Sequence, residues 1–453
     1  MRGPEVTETT KHFSSKSLAW PLRRLSLMSV REMGYRAACL AHSWLQAHGC
    51  LTVPDPPEPE HGVRSVGFIH AVQGQRCDLV LEAADSILRG ELRIFAQKFR
   101  FNGIGPSWNS DPSTLKTAPL TFGKHLNYRN ADLVGDIKYL WEPNRHLHLV
   151  TLAQAYALSG ERRYLNGLGL QLRSWLDQCP YLLGPNWASS LELAIRLINW
   201  SLAWQLIGGA GSPLFDGGGR DLLERWLRSV YQHVHFVRGH FSRYSSANNH
   251  LIGEAAGVFV ATVTWPHWSA FERWRGEAAA ILEEEVLRQN GADGVNREQA
   301  VSYQQFVLDF LIIAALAGRS RGIEFSTSYW RRLEAMLEYL ASLMDVAGNV
   351  PMIGDADDGF VVKLSAAADF CPYRSLLCTG AVLFQRPDFM SKAGSIDEKT
   401  LWLLGSQAGG VAPEQSQRSN APLPVRRSFP EGGYHILGKD FETDDPHDHP
   451  FFI

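Results

Sequence analysis

The chain's densest group of residues able to do chemistry is Ser245-Ser246-Ala247-Asn248-Asn249-His250, running into Leu251-Ile252-Gly253-Glu254. One Asn at a helix start is an ordinary N-cap, whose side-chain oxygen accepts an orphaned backbone N–H. A tandem Asn248-Asn249 followed at once by His250 exceeds what capping requires. Glu254, four residues beyond His250, shares its helical face and is placed to orient the imidazole. Amide, imidazole and carboxylate converging on one helix mouth suit recognition of a substrate carboxylate. The second group is Asp293-Gly294-Val295-Asn296-Arg297-Glu298-Gln299-Ala300-Val301-Ser302-Tyr303. Its bland reading is a charged loop ahead of a core tyrosine. Against that, Arg297 and Glu298 stand in a polar run where a helix would ordinarily begin burying apolar side chains. A cation such as Arg297 near Tyr303 lowers the phenol's pKa, which proton transfer near neutrality requires.

Other polar residues give weaker signals. His146/His148, His233/His235 and His447/His449 are each spaced by two. On a helix that spacing sends the rings to opposite sides, and only the last pair falls in expected strand or loop, where they share a face. None is read as a metal site. The six Cys are scattered without a Cys-x-x-Cys pair, so they read as buried thiols rather than a disulfide framework or zinc site. Gly208-Gly209-Ala210-Gly211 lacks the strand before and the Gly-Lys-Ser after that a phosphate cradle needs. The turn Gly354–Gly359 lacks the spaced ligands and closing Glu of an EF-hand, and reads as the rim of a cleft. No metal and no cofactor is expected.

The elements that must position these groups read as helices. Leu149, Leu152, Ala153 and Tyr156 recur at three- and four-residue steps, and Ser159-Gly160 closes that segment. Ser189 and Glu192 make a capping-box pattern ahead of Leu193, Ile195, Leu197 and Ile198. Further helices are expected over 220–237, 247–264, 269–289, 299–317 and 327–345. Helix after helix with short turns implies antiparallel hairpins. Without a fixed-period repeat, hairpins arranged in a ring fit better than an open solenoid. Residues 52–62, rich in Pro and acid, read as a linker. After Pro372 the runs Ala381–Phe384 and Tyr434–Leu437, separated by Pro, Gly and Ser, read as strands.

The chain has 453 residues, 45% of them apolar, and a net charge of −3, enough for two or three well-cored domains. No basic stripe marks a nucleic-acid binder. Most of the 14 Trp are expected in the core, with a few left as candidate platforms for sugar rings. Residues 17–46 pattern as a basic amphipathic helix, for which docking on the protein itself is favoured over a membrane surface. The absence of a signal-peptide pattern points to the cytoplasm, with the cell envelope or periplasm as the alternative.

Taken in order, these segments resemble the heparinase II/III-like polysaccharide lyases. Asp136–Arg145, Gly184-Pro185-Asn186-Trp187, Asn248-Asn249-His250, Arg297–Tyr303, Gly354–Gly359 and Phe429–Tyr434 follow the family's order and approximate spacing over about residues 65–445. The resemblance implies a mainly α chain: an incomplete (α/α) toroid of helical hairpins over 65–372, after an N-terminal segment 1–64. An antiparallel β-sandwich is expected to begin at 373 and to be truncated at 453. It implies β-elimination at a uronic acid of an acidic polysaccharide. Asn249 would neutralise the carboxylate with His250 beside it, and Tyr303 would protonate the leaving oxygen or act as base. Asn248, Glu254, Arg297, Glu298 and Trp187 would bind substrate, Arg297 and Glu298 also tuning Tyr303. The family's His-Gly-His-Ala-Asp strand is not met before Ile453; His447 and His449 come too early to replace it, so turnover is expected to be impaired. Two alternatives stand beside this reading: a glycoside hydrolase using Glu192 and Glu298 as acid and base, and a glycan-binding relative without turnover. Basic residues are not concentrated near the two groups, which disfavours a heavily sulfated substrate.

Overall fold

The computed structural model describes residues 28–60, 67–70, 77–101, 105–345, 348–356, 359–409, 428–438 and 451–452. They divide into two compact units, one of residues up to Thr52 with Arg243–Ser246 and one holding the rest. In the small unit, helix α1 (Val30–Ala47) is capped by Ser29, whose hydroxyl accepts the Glu32 N–H. Glu32 binds Arg36 at 2.9 Å and accepts the Ser245 hydroxyl, while Tyr35 and Tyr244 pack ring on ring. The amphipathic helix expected over 17–46 is present from residue 30, with Val30, Leu40 and Trp44 exposed. Residues 17–27 of the expected stretch lie outside the described residues.

The large unit opens with α2 (Cys77–Leu88) and a hairpin of β1 (Glu91–Ile94) and β2 (Gln97–Arg100) that sequence reasoning missed. The short α3 (Ile137–Asn144) follows its N-cap Asp136. Five helical hairpins come next: α4 (Leu147–Ser159) with α5 (Arg162–Gln178), α6 (Ser190–Leu206) with α7 (Arg220–Gly239), and α8 (Asn249–Thr264) with α9 (Ser269–Arg288). Then come α10 (Val301–Ser320) with α11 (Thr327–Leu343) and α12 (Pro372–Phe384) with α13 (Pro387–Ala393). The first members pack side by side in the order α4, α6, α8, α10, α12, with α2 beyond α4, and the second members form an outer layer. This is the incomplete (α/α) toroid expected.

Burial explains the layering. Every residue of Ser190–Trp204 in α6 is buried, so that helix is inaccessible all round, as an inner helix must be. By contrast α7 keeps a polar face of Arg, Asp and Glu for solvent. Inner helices approach closely where side chains are smallest: a Cβ on Gly257 of α8 would lie 2.5 Å from that of Ala194 in α6. The long apolar run of α10 fits a membrane span in length and composition, but 94% of it is buried in this core.

Several expectations are corrected. Ala381–Phe384 is not a strand but the last turn of α12, whose Pro372 sits at the first helical turn. Short apolar runs do not distinguish a buried helix from a strand. Helix therefore continues past the boundary expected at 373, through α14 (Glu398–Leu404) to about residue 409. Beyond it lie antiparallel pairs, β3 (Ser428–Phe429) with β4 (Tyr434–His435) and β5 (Leu437–Gly438) with β6 (Phe451–Phe452). His447 and His449 fall outside the described residues. The stretch read as a linker is packed down: Gln232 donates to the carbonyls of Val53 and Pro54, and Trp268 to that of Pro57. Cys39, Cys50, Cys179, Cys371 and Cys378 are free thiols.

Candidate functional site

Each hairpin returns through its outer helix, so the inner helices run the same way and their N-termini gather at one end. The two chemistry-bearing groups meet there. Asn248 is the N-cap of α8, its Oδ1 accepting the His250 N–H at 3.1 Å. The Asn249 N–H donates to Glu298 Oε1 at 2.8 Å, and Asn249 Nδ2 donates to Oε1 and Oε2 at 3.0 and 2.9 Å. The two oxygens of one carboxylate lie too close together to receive both diverging hydrogens of one amide. One N–H therefore spans the carboxylate, and the second projects away from it. A carboxylate at this helix start also meets the positive end of the dipole.

The Glu298 loop is held from below. Asn296 Oδ1 accepts the Glu298 N–H at 2.9 Å, and Gln304 accepts the Asn296 N–H while donating to the Gly294 carbonyl. Gly294 has φ +88°, and a Cβ there would run into the Ala335 carbonyl. The β3–β4 hairpin clamps the same loop: Asp293 accepts the Glu431 and Gly432 N–H groups, and Glu431 accepts that of Ala292. On the other side Ile353 and Asp355, flanking Gly354, offer carbonyls to the Val301 N–H and the Ser302 hydroxyl. What these contacts present is selective. Every residue of α8 is buried except His250, and every residue of Val301–Gly318 except Tyr303. The two are the first solvent-facing side chains of adjacent inner helices.

The remaining expected residues fall out differently. Arg297 is exposed, its N–H bonded to the Gln289 carbonyl. Glu298 is a brace on Asn249. Glu254 is buried, and its carboxylate accepts the Ser242 N–H and hydroxyl at 2.6 and 2.8 Å. Burial pushes its pKa up to about 7 against the pull of Ser242 and Lys124. Trp187 is 1% exposed, enclosed by Tyr181, His233 and Phe236, so it is a core residue and no sugar platform. Glu192 does not close a capping box. It takes a bidentate ion pair from Arg145 at 2.8 and 2.9 Å, and Arg145 also binds Glu142 at 3.0 Å. All three are buried, which removes Glu192 as a hydrolytic acid or base.

Sequence reasoning missed the polar column behind this end. The fully buried Arg196 donates to the Asn144 carbonyl at 2.6 Å, faces His233 Nε2 at 3.0 Å and lies over Trp175. Burial lowers its pKa to about 10. His146 and His148 do not diverge. His146 has φ +63° and precedes α4, so both rings pack against Trp108, 5.7 Å apart. A polar residue inside an apolar helix, as Arg196 is in α6, was the one available signal. Among the described residues no group of three or more His, Cys, Asp or Glu could hold a metal ion.

The family model described as Heparinase II/III N-terminus matches residues 108–374, more than half of the chain and including both groups of site residues. The chain belongs to the heparinase II/III family. It is 25% identical over 348 residues to the heparin-sulfate lyase of Pedobacter heparinus, covering 71% of this chain and 50% of that one. It is 25% identical over 209 residues to the heparin-sulfate lyase of Bacteroides thetaiotaomicron, covering 46% and 29%. Solved structures similar to it include the heparan sulfate lyase HepC from Pedobacter heparinus, at 19% identity and TM-score 0.48, covering 78% of this chain and 50% of that one. A heparinase III structure matches at 18% identity and TM-score 0.48, covering 72% and 48%. The chain thus spans half or less of the length of these heparinase relatives.

Proposed function

We propose that this heparinase-family chain supplies the helical half of a polysaccharide lyase site that cleaves uronate-containing glycans by β-elimination. The observation that carries the reading is the Asn249–Glu298 junction, which fixes the Asn249 amide at the helix start that also bears the exposed His250, with the half-buried Tyr303 in the first turn of the adjacent inner helix. The names of the curated relatives agree with it. The C5 proton of a uronate is a weak acid until its carboxylate is neutralised. The free N–H of Asn249, with His250 beside it, donates to that carboxylate as enolate charge develops. A base removes the proton, the electron pair forms the C4–C5 double bond, and the C4 oxygen leaves with a proton from Tyr303. Hydrolysis is disfavoured by the ion pair that holds Glu192.

The test is ultraviolet absorbance during incubation with uronate polysaccharides, since elimination alone makes the conjugated unsaturated uronate. Absorbance should rise with the native protein. It should slow by about 10²–10³-fold in Asn249→Ala and Tyr303→Phe, the usual cost of removing one such donor. Undiminished rates in both variants would refute these roles.

A further inference from the structure

A cavity of about 400 Å³, lined by neither Asn249 nor Tyr303, lies between the β1–β2 hairpin, the first half of α4 and residues 360–368. Its walls mix aromatic faces (Phe95, Phe360) with a hydroxyl (Thr151) and three cations (Arg93, Lys98, Lys363). The charges there do not cancel. Glu91 is paired with Lys98 at 2.9 Å, and Glu142 is drawn off by Arg145 at 3.0 Å. Among the described residues Lys363 and Arg93 make no ion pair. Both cations line the cavity, and Lys363 lies 5.8 Å from the centre of the Phe360 ring. Burial first, then Arg93, lowers the Lys363 pKa, while Glu142 opposes the shift. An anion bound in the cavity would offset both positive charges.

The cavity is also connected to the catalytic end. The described residues 350–356 and 359–364 make backbone contacts with three inner helices. Ile353 accepts from Val301 of α10, Val361 accepts from Asn199 of α6 at 2.9 Å, and Leu364 accepts from Gln154 of α4 at 3.3 Å. The same stretch of sequence thus touches the helix that bears Tyr303 at Ile353 and lines the cavity at Leu364. From α8 to α4 is two interhelical spacings, roughly 16–20 Å, the reach of several sugar units of an extended glycan.

We propose that this cavity is a second, anion-reading sugar subsite, in which Lys363 and Arg93 bind the carboxylate or sulfate of a unit remote from the bond being cleaved. This rests on the lyase reading. The experiment is calorimetric titration in a Tyr303→Phe background, so that binding is read without turnover. The probes are an unsulfated glucuronate–N-acetylglucosamine tetrasaccharide, the corresponding octasaccharide, and the N-sulfated octasaccharide. Lys363→Met should weaken an octasaccharide about tenfold, the worth of one charge-assisted contact. The exposed Arg93→Gln should act in the same direction, and the tetrasaccharide should be unaffected. An effect confined to the N-sulfated octasaccharide identifies the anion as sulfate, whereas an effect on both identifies the carboxylate. Octasaccharide affinity within twofold in both variants, while Asn249→Ala still weakens it, overturns the subsite and leaves the lyase reading standing. Equal losses for the two lengths overturn it as well. Absence of binding by any probe overturns both proposals.

Discussion

Glu298 is the residue whose role changes most when the structure is read. Its sequence position suggests a sugar contact, yet its carboxylate accepts both the backbone and side-chain N–H of Asn249, from 49 residues earlier in the chain. It acts through Asn249 and is a positioning residue. In Glu298→Gln one of the two accepting oxygens becomes an amide donor facing the Asn249 amide, so one orientation of Asn249 is no longer favoured. The expected result is a fall in kcat of about tenfold or more with KM changed less than threefold, since a transition-state contact is loosened rather than ground-state binding lost. A rise in KM at constant kcat, measured where both proteins are fully folded, would make Glu298 a sugar contact after all. The two clusters were legible separately, because polar residues stood where burial should begin. Their junction was not, because no local pattern reports a pairing between distant helix starts.

Helices were the legible elements, and the inner ones for a simple reason: α8 and α10 are apolar over whole turns, and each expected span lies within a few residues of the observed one. Failures came where length and local pattern could not arbitrate. The run Ala381–Phe384 is too short to show a period, and its helix is set by packing on α11 and α10. Trp187 ends a single short turn after Gly184-Pro185, too short for periodicity to show which way its ring faces, and the ring is buried in the core. Close helix approach was also invisible, although it supports a clear prediction. Gly257→Ala would gain about 1 kcal/mol of helix propensity. Against this, its Cβ would lie 2.5 to 2.7 Å from the Cβ, Cα and carbonyl oxygen of Ala194, which belong to the facing backbone and not to a flexible tip. Overpacking of that kind costs about 1–3 kcal/mol or more, so it prevails. The variant should unfold at lower denaturant with an unchanged slope, and the shift between α6 and α8 should lower activity through the Asn249 end. A stabilised variant would mean that the two helices separate freely.

At the scale of the molecule, the composition and a net charge of −3 gave no hint of how many titratable groups the toroid buries. Those groups pull the pH dependence of stability in opposite directions. Glu254 has a pKa raised by burial to about 7 from 4.5, so the folded state holds its proton longer than the unfolded chain does. Its stabilising effect is present at low pH and is lost as pH rises from 4.5 through 7, about 3 kcal/mol in all. His148 runs the other way. Burial lowers its pKa to about 4 from 6.5, so stability falls by about 3 kcal/mol as pH drops from 6.5 through 4. His146 and His233, fully enclosed and likewise lowered by burial, add to that acid limb. Three histidines oppose Glu254 and the raised Asp309, so the native chain should be most stable near neutrality and weaken on acidification. Single variants separate the contributions. In Glu254→Gln the acid limb loses its counterweight, and stability from urea midpoints should fall more steeply between pH 7 and 4.5, by about 3 kcal/mol relative to the native chain. In His148→Asn the fall between pH 6.5 and 4 should become shallower by a similar amount. If the Glu254→Gln curve ran parallel to the native one across this range, the carboxylate held by Ser242 would be ionised throughout. The hydrogen bonds it accepts, rather than its burial, would then set its charge.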